Sequence, residues 1–150
     1  MNLTDLMEDP FAKKLLLGLT AMLARDIQNR ASTMTAEELY ANLEFIPVYN
    51  PEKHDYNEKP VGYVCRSEDD TILQLVDSSD YATTDLDGEK KILWKHVWSK
   101  DPANARPFVA SDVSPYMMGD CCLYEGRVYR CLGNGVTGSP EDNPEAWGEA

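Results

Sequence analysis

Basic clusters, long apolar runs and catalytic motifs are all scarce in this sequence of 150 residues. The 14 Lys and Arg stand against 26 Asp and Glu, for a formal net charge of -12, and no basic cluster exceeds the pairs Lys13-Lys14 and Lys90-Lys91. A nucleic-acid binder needs a basic footprint to neutralise phosphates, so no nucleic-acid partner is expected. An anionic membrane surface is disfavoured for the same reason, and the acidity mainly favours solubility. The apolar run Leu15–Ala24 is too short to span a bilayer, so no membrane insertion is expected. It follows Lys13-Lys14 as a leader's apolar core would, but Asp5, Glu8 and Asp9 stand where a basic segment belongs, and it is not read as a cleaved signal.

Histidine is limited to His54 and His96, and neither has a Cys or Ser partner at a recognisable spacing. No GxSxG and no HExxH occurs. Gly133–Gly138 fits GxGxxG after an expected strand, but Ser139-Pro140-Glu141-Asp142 starts no long helix, so the run is read as a Gly-rich loop. Asp85-Leu86-Asp87-Gly88 resembles a calcium loop in part. In that register Thr83 would be first and Trp94 twelfth, which leaves out the first acidic ligand and the bidentate Glu. The carboxylates Glu68-Asp69-Asp70 and Glu141-Asp142 fall in turns, where charge is expected anyway. No nucleophile–base arrangement emerges, and the chain is expected not to be an enzyme and to need no cofactor.

The four Cys do not suggest a disulfide framework. Cys121 and Cys122 are adjacent and point to opposite faces of a strand, while Cys122 and Cys131 share a face diagonally, about 7–8 Å apart. A disulfide needs Cβ atoms about 3.5–4.5 Å apart. The thiols are expected to be reduced and buried as small apolar groups. With both His remote and no CxxC spacing, no zinc or other metal site is expected.

What is present is enough to fold. Hydrophobic residues make up 43% of the chain, which can bury one moderate core or two small ones. Asp9 can cap and Pro10 can open a helix running to about Asn29, with Phe11, Leu15, Leu19, Met22, Leu23 and Ile27 at helical spacing. That stripe needs a cover, either the chain's own domain or further copies of itself in a homo-oligomer. Thr35-Ala36-Glu37-Glu38 is a capping box opening a short helix to about Leu43. Ile46–Lys59 reads as an extended loop in which His54 is solvated, and Ser78–Gly88 as a polar loop. Val61–Arg66 and Thr71–Val76 form an expected hairpin around Ser67–Asp70, with Ile92–Trp98 as a third strand. That strand places Trp94, His96 and Trp98 on one face, as core or as a binding platform.

The last third is the most patterned. Around a tight turn at Glu125-Gly126, Tyr124 should face Arg127, Leu123 Val128, Cys122 Tyr129 and Cys121 Arg130. One face then holds Cys122, Tyr124, Tyr129 and Cys131. The other carries Leu123 and Val128 and needs a cover from the chain or a partner. The expected fold class is therefore α+β, with N-terminal helices (residues 1–45), a small central antiparallel sheet (46–110) and a C-terminal β-hairpin module (111–150).

In this module Tyr116, Gly119, Asp120, Tyr124, Gly126, Tyr129, Pro140 and Trp147 follow a pattern that resembles the small chitin-binding modules of bacterial chitinases, carbohydrate-binding family 5/12. The Trp that those modules carry before the first Tyr is replaced by Asp112-Val113-Ser114-Pro115, and the aromatics after the second strand by Leu132-Gly133-Asn134-Gly135. The runs Met34–Tyr40, Ile46-Pro47, Pro60–Tyr63, Trp98–Ala103 and Arg106–Val109 look like proteins from the tail-gene regions of phages and prophages of Gram-positive gut bacteria. The resemblances imply a tail-associated structural or adhesion protein, made in the bacterial cytoplasm and placed in the virion. Its partners would be other virion proteins and a cell-surface glycan, held by stacking on Tyr116, Trp147, Tyr124 and Tyr129. The alternative is a purely structural virion component whose module docks on another virion protein without binding sugar.

Overall fold

Asp9 begins the first helix as the sequence suggests: its carboxylate accepts from the amides of Phe11 (2.9 Å) and Ala12 (3.3 Å), ahead of Pro10. These contacts satisfy donors that a helix start leaves free. In the computed structural model, which describes residues 9–54, 56–77 and 93–150, this helix (α1) spans Pro10–Arg30. Of the apolar stripe only Ile27 enters the core, joined one turn on by Ala31. Phe11, Leu15, Leu19, Met22 and Leu23 remain exposed. Among the described residues no helix is long and apolar enough to cross a membrane.

A second helix, α2 (Ala36–Ala41), starts where Thr35 Oγ1 accepts from the amide of Glu38 at 3.2 Å. The box closes differently from the expected pattern, because the Thr35 hydroxyl also meets the Glu38 carboxylate (3.2 Å). The helix stops two residues short of Leu43. Asn42 turns its side-chain amide onto the Glu38 carbonyl (2.8 Å), and a 3-10 turn takes over at Leu43–Phe45.

The chain is α+β, with two sheets following the helices. The central sheet has the order β1 (Val64–Arg66), β2 (Ile72–Asp77), β3 (Leu93–His96), antiparallel throughout, with an irregularity between Leu75 and Asp77. β1 starts later than expected because Gly62, at φ 96, belongs to a turn closed by the Tyr63 amide on the Pro60 carbonyl. Val64, Ile72 and Val97 face the helices and pack with Ile27, Leu39, Tyr40 and Ile46. Gln28 fastens α1 to this sheet, since its side-chain amide donates to the Val64 carbonyl (2.8 Å) and accepts from the Val64 amide (2.9 Å).

The opposite face, with Cys65 and Leu75 buried, is overlaid by the segment expected to be an open loop. Tyr56 is buried there, stacked on Tyr49 (5.1 Å, 13°) and edge-on to Trp94 (5.2 Å, 83°). The same segment runs along the edge of β1, where Arg66 donates to the Pro47 carbonyl and Tyr49 to the Arg66 carbonyl. The expectations for Ser78–Gly88, the Asp85–Gly88 motif included, lie outside the described residues.

The C-terminal sheet has the order β4 (Arg106–Pro107), β5 (Cys121–Tyr124), β6 (Arg127–Cys131), β7 (Trp147–Glu149). The β5–β6 hairpin shows the register read from the sequence, with Tyr124 opposite Arg127 and Cys121 opposite Arg130. Its turn needs positive φ at both central residues, 50° at Glu125 and 80° at Gly126. β4 pairs with β5 in parallel and lies before residue 111, where the C-terminal module is expected to begin, so this sheet draws on chain upstream of it.

Tyr40 ties α2 to the sheet. Its hydroxyl donates to the Val97 carbonyl (2.7 Å) and accepts from the Ile72 amide (3.2 Å), both buried. Replacing Tyr40 by Phe leaves both backbone groups without a partner and is expected to cost about 1–3 kcal/mol of stability, read as a lowered urea midpoint at unchanged slope. A midpoint equal to wild type would show that these groups find other partners.

Candidate functional site

The aromatic residues of the last third do not gather on an open face. They form the centre of the C-terminal unit. Tyr116 is 0% exposed, its ring lying between Trp98 (4.4 Å, 13°) and Phe108 (5.4 Å, 12°). Its hydroxyl accepts from the Val109 amide at 3.1 Å, and its backbone exchanges two hydrogen bonds with Val136. Trp147 is 6% exposed and edge-on to Tyr116 (5.0 Å, 72°), with its indole N–H donating to the Gly138 carbonyl (2.9 Å). The sequence suggested both as sugar-stacking rings. Here both are core: Trp98 and Phe108 cover the two faces of Tyr116, and Trp147 is buried edge-on against Tyr116 and Phe108.

The remaining candidates sit at the rim of that core. Tyr124 and Tyr129 are half-buried and pack against the cluster of Trp98, Tyr116, Cys122, Cys131 and Trp147. Tyr124 lies edge-on to Phe108 (6.0 Å, 85°) and donates its hydroxyl to the Glu141 carboxylate (2.9 Å). That bond to a carboxylate raises the Tyr124 phenol above its usual range. A half-exposed ring beside an acceptor carboxylate can offer an apolar face and a polar contact together, which is what a sugar ring requires. Phe108 and Glu141 had no sequence signal for this role. Phe108 precedes the hairpin, and Glu141 reaches Tyr124 from seventeen positions away.

The motif residues around these rings have identifiable work. Asp120 is buried, with one carboxylate oxygen accepting from the Met117 amide (2.8 Å) and the other from Lys100 Nζ (3.2 Å). Gly119 takes φ 95° between them, a value that favours glycine. The opposite face of the hairpin stays partly open, with Leu123 38% exposed and Val128 half-buried.

The four thiols are buried and unpaired. Burial pushes Cys65 and Cys122 up to about 12, and Cys121 and Cys131 upward as well. His96 is held below its usual value by burial, and its Nδ1 is enclosed without a hydrogen-bond partner. Among the described residues no three His, Cys, Asp or Glu side chains gather to hold a metal ion.

No family model matches this chain, and it matches no curated protein and no solved structure.

Two predictions follow from the burial. Trp147→Ala should cost about 3–5 kcal/mol, as for a large core truncation, and weaken the near-ultraviolet circular dichroism of the unit. A cost below about 1 kcal/mol, typical of surface sites, would place Trp147 outside the core. The neutral forms of Cys65, Cys122 and Tyr40 are favoured by the fold. Their stabilising effect is therefore complete below pH 9, the ordinary thiol value, and is lost as pH rises towards 12. Urea midpoints measured between pH 8 and pH 11 should fall, and should fall less in Cys122→Ala than in wild type. A wild-type midpoint that holds constant up to pH 11 would refute this.

Proposed function

We propose that this chain is a non-enzymatic, tail-associated structural and adhesion protein of a phage or prophage, and that its C-terminal unit binds cell-surface carbohydrate. The observation that carries the binding part is the rim where Tyr124 lies edge-on to Phe108 and bonds to Glu141. One ring face of a sugar would lie on Tyr124, Tyr129 would extend the apolar contact, and Glu141 would accept from a sugar hydroxyl. Tyr116 and Trp147 would act indirectly by holding the rim in place. The resemblance to chitin-binding modules supports the same reading, since Gly119 and Asp120 shape the turn after Tyr116 and Gly126 shapes the hairpin. The phage attribution rests on sequence resemblance, as do the virion setting and the virion partners.

A second reading has its own observation. Leu123 is 38% exposed and Val128 half-buried on the outer face of the hairpin, which suits docking on another virion protein with no sugar bound.

Calorimetric titration with chitin oligosaccharides and with peptidoglycan fragments separates the two. Sugar binding is expected, with Tyr124→Ala weakening it about tenfold, or about 1.4 kcal/mol, while near-ultraviolet circular dichroism shows the unit still folded. Glu141→Gln should weaken it less, because the amide still offers an acceptor oxygen. No heat with either glycan at millimolar concentration would overturn the carbohydrate reading and leave the docking one.

A further inference from the structure

The first helix carries an apolar surface that stays exposed along most of its length among the described residues. Among the described residues its firm attachments to the body lie in the last turns, through Ile27, Gln28 and Ala31, with Thr20 and Ala24 beside Phe45 and Ile46. Residues 10–24 run on for about 20 Å at 1.5 Å per residue. On this stretch Phe11, Leu15, Leu16, Leu19, Met22 and Leu23 are all exposed, Phe11 at 77% and Met22 at 65%. At 3.6 residues per turn these six lie within an arc of about 140°, and Ile27, the attachment to the body, follows at its edge. Past Leu23 the arc meets Asp26 and Arg30, which pair with each other at 2.8 Å and end it where the body begins.

We propose that this arc is the core of a homo-oligomeric helical bundle, its occupant being further copies of the same helix. Area is the first argument. Six large side chains, each with on the order of 100 Å² uncovered, give roughly 600 Å² per copy. That reaches the top of the range for the largest apolar patch of a typical monomer, about 300–600 Å². It also approaches the ~800 Å² per partner of a standard interface. Shape is the second. Ala12, Leu15, Leu19 and Met22 fall at alternating three- and four-residue steps, the spacing of a helix–helix seam. Phe11, Leu16 and Leu23 widen it beyond the narrow stripe of a two-stranded coil, towards the breadth of a bundle helix. Gly18 stands beside the seam, and a Cβ built there meets nothing within 4 Å, so a neighbouring backbone can come close. Helix stability is the third. A helix stretch of this length with so few buried side chains is marginal by itself in water, and packing on copies supplies what the body does not.

Light scattering on the full chain after size exclusion should give an integer multiple, above one, of 16.9 kDa. Leu15→Glu with Leu19→Glu should reduce it to one copy, with the near-ultraviolet circular dichroism of the two sheets unchanged. Met22→Glu alone should shift the midpoint of dissociation at least tenfold upward in concentration, and serves if the double variant precipitates. Leu17→Glu is the control, because Leu17 is exposed on the same segment but lies outside the arc. It should leave the mass as in wild type. A wild-type chain that stays monomeric up to about 100 μM overturns the proposal, since association rises with concentration by mass action, as does dissociation by Leu17→Glu equal to that by the arc variants.

Discussion

A column of stacked rings holds this molecule together. His96, at the end of β3, lies on Trp98 (5.3 Å, 6°), Trp98 on Tyr116, and Tyr116 on Phe108. The column starts in the central sheet and ends beside β4, in the C-terminal sheet. Each aromatic pair contributes about 0.5–1.5 kcal/mol beyond its buried area. The larger effect is geometric, because rings packed at this density leave little freedom for the backbones that carry them. Ser114 fixes the crossing: its hydroxyl accepts from the His96 amide (2.7 Å) and its carbonyl from the Trp98 indole (2.8 Å). Burial also keeps His96 below its usual value, so that a neutral imidazole lies on the indole near pH 7.

Much else follows from that column. Tyr116 can lie flat in it only if the chain then turns sharply away, and Gly119 with the buried Asp120 makes that turn. Trp147 closes the side by meeting Tyr116 edge-on, which brings β7 against β6 in register, Cys131 opposite Trp147. Cys122 and Cys131 fill the space that remains beneath the rings. Small apolar groups are what such a space accepts, since a larger side chain would push the rings apart.

What was legible in the sequence was local. Asp9-Pro10, Thr35–Glu38 and Glu125-Gly126 each specify a start or a turn within a few residues, and each element appears where those signals put it. The hairpin register followed from turn length alone. Strand parity held in β3 as well: Trp94 faces Leu75 and His96 faces Leu73, while Val97 joins the helix side. What was not legible depended on distance in sequence. A Tyr at regular spacing on a hairpin reads the same whether its face meets water or another ring. Tyr116 and Trp147 became core because Trp98 and Phe108 arrive from upstream to cover them. Tyr56, in a segment of Pro, Asn and charge, is buried because the second face of the central sheet needed a lid. The parallel pairing of β4 with β5 carries no periodic signal in two residues.

The same arithmetic bears on how such a protein could work. A unit that commits Trp98, Tyr116, Phe108 and Trp147 to packing has few large rings left for a ligand. Tyr124 and Tyr129 are each half-covered, so a single sugar contact under the proposed reading is small and weak. Small glycan modules gain by repetition, and linking several sites on one particle can raise avidity by about 10²–10⁴ without a new contact. The exposed helix arc would provide a route to that repetition if copies associate through it as proposed. A weak rim and an associating helix therefore make physical sense together. Under the proposed readings the first would give selectivity at each contact, and the second would set how many contacts must be lost at once before the assembly leaves a surface.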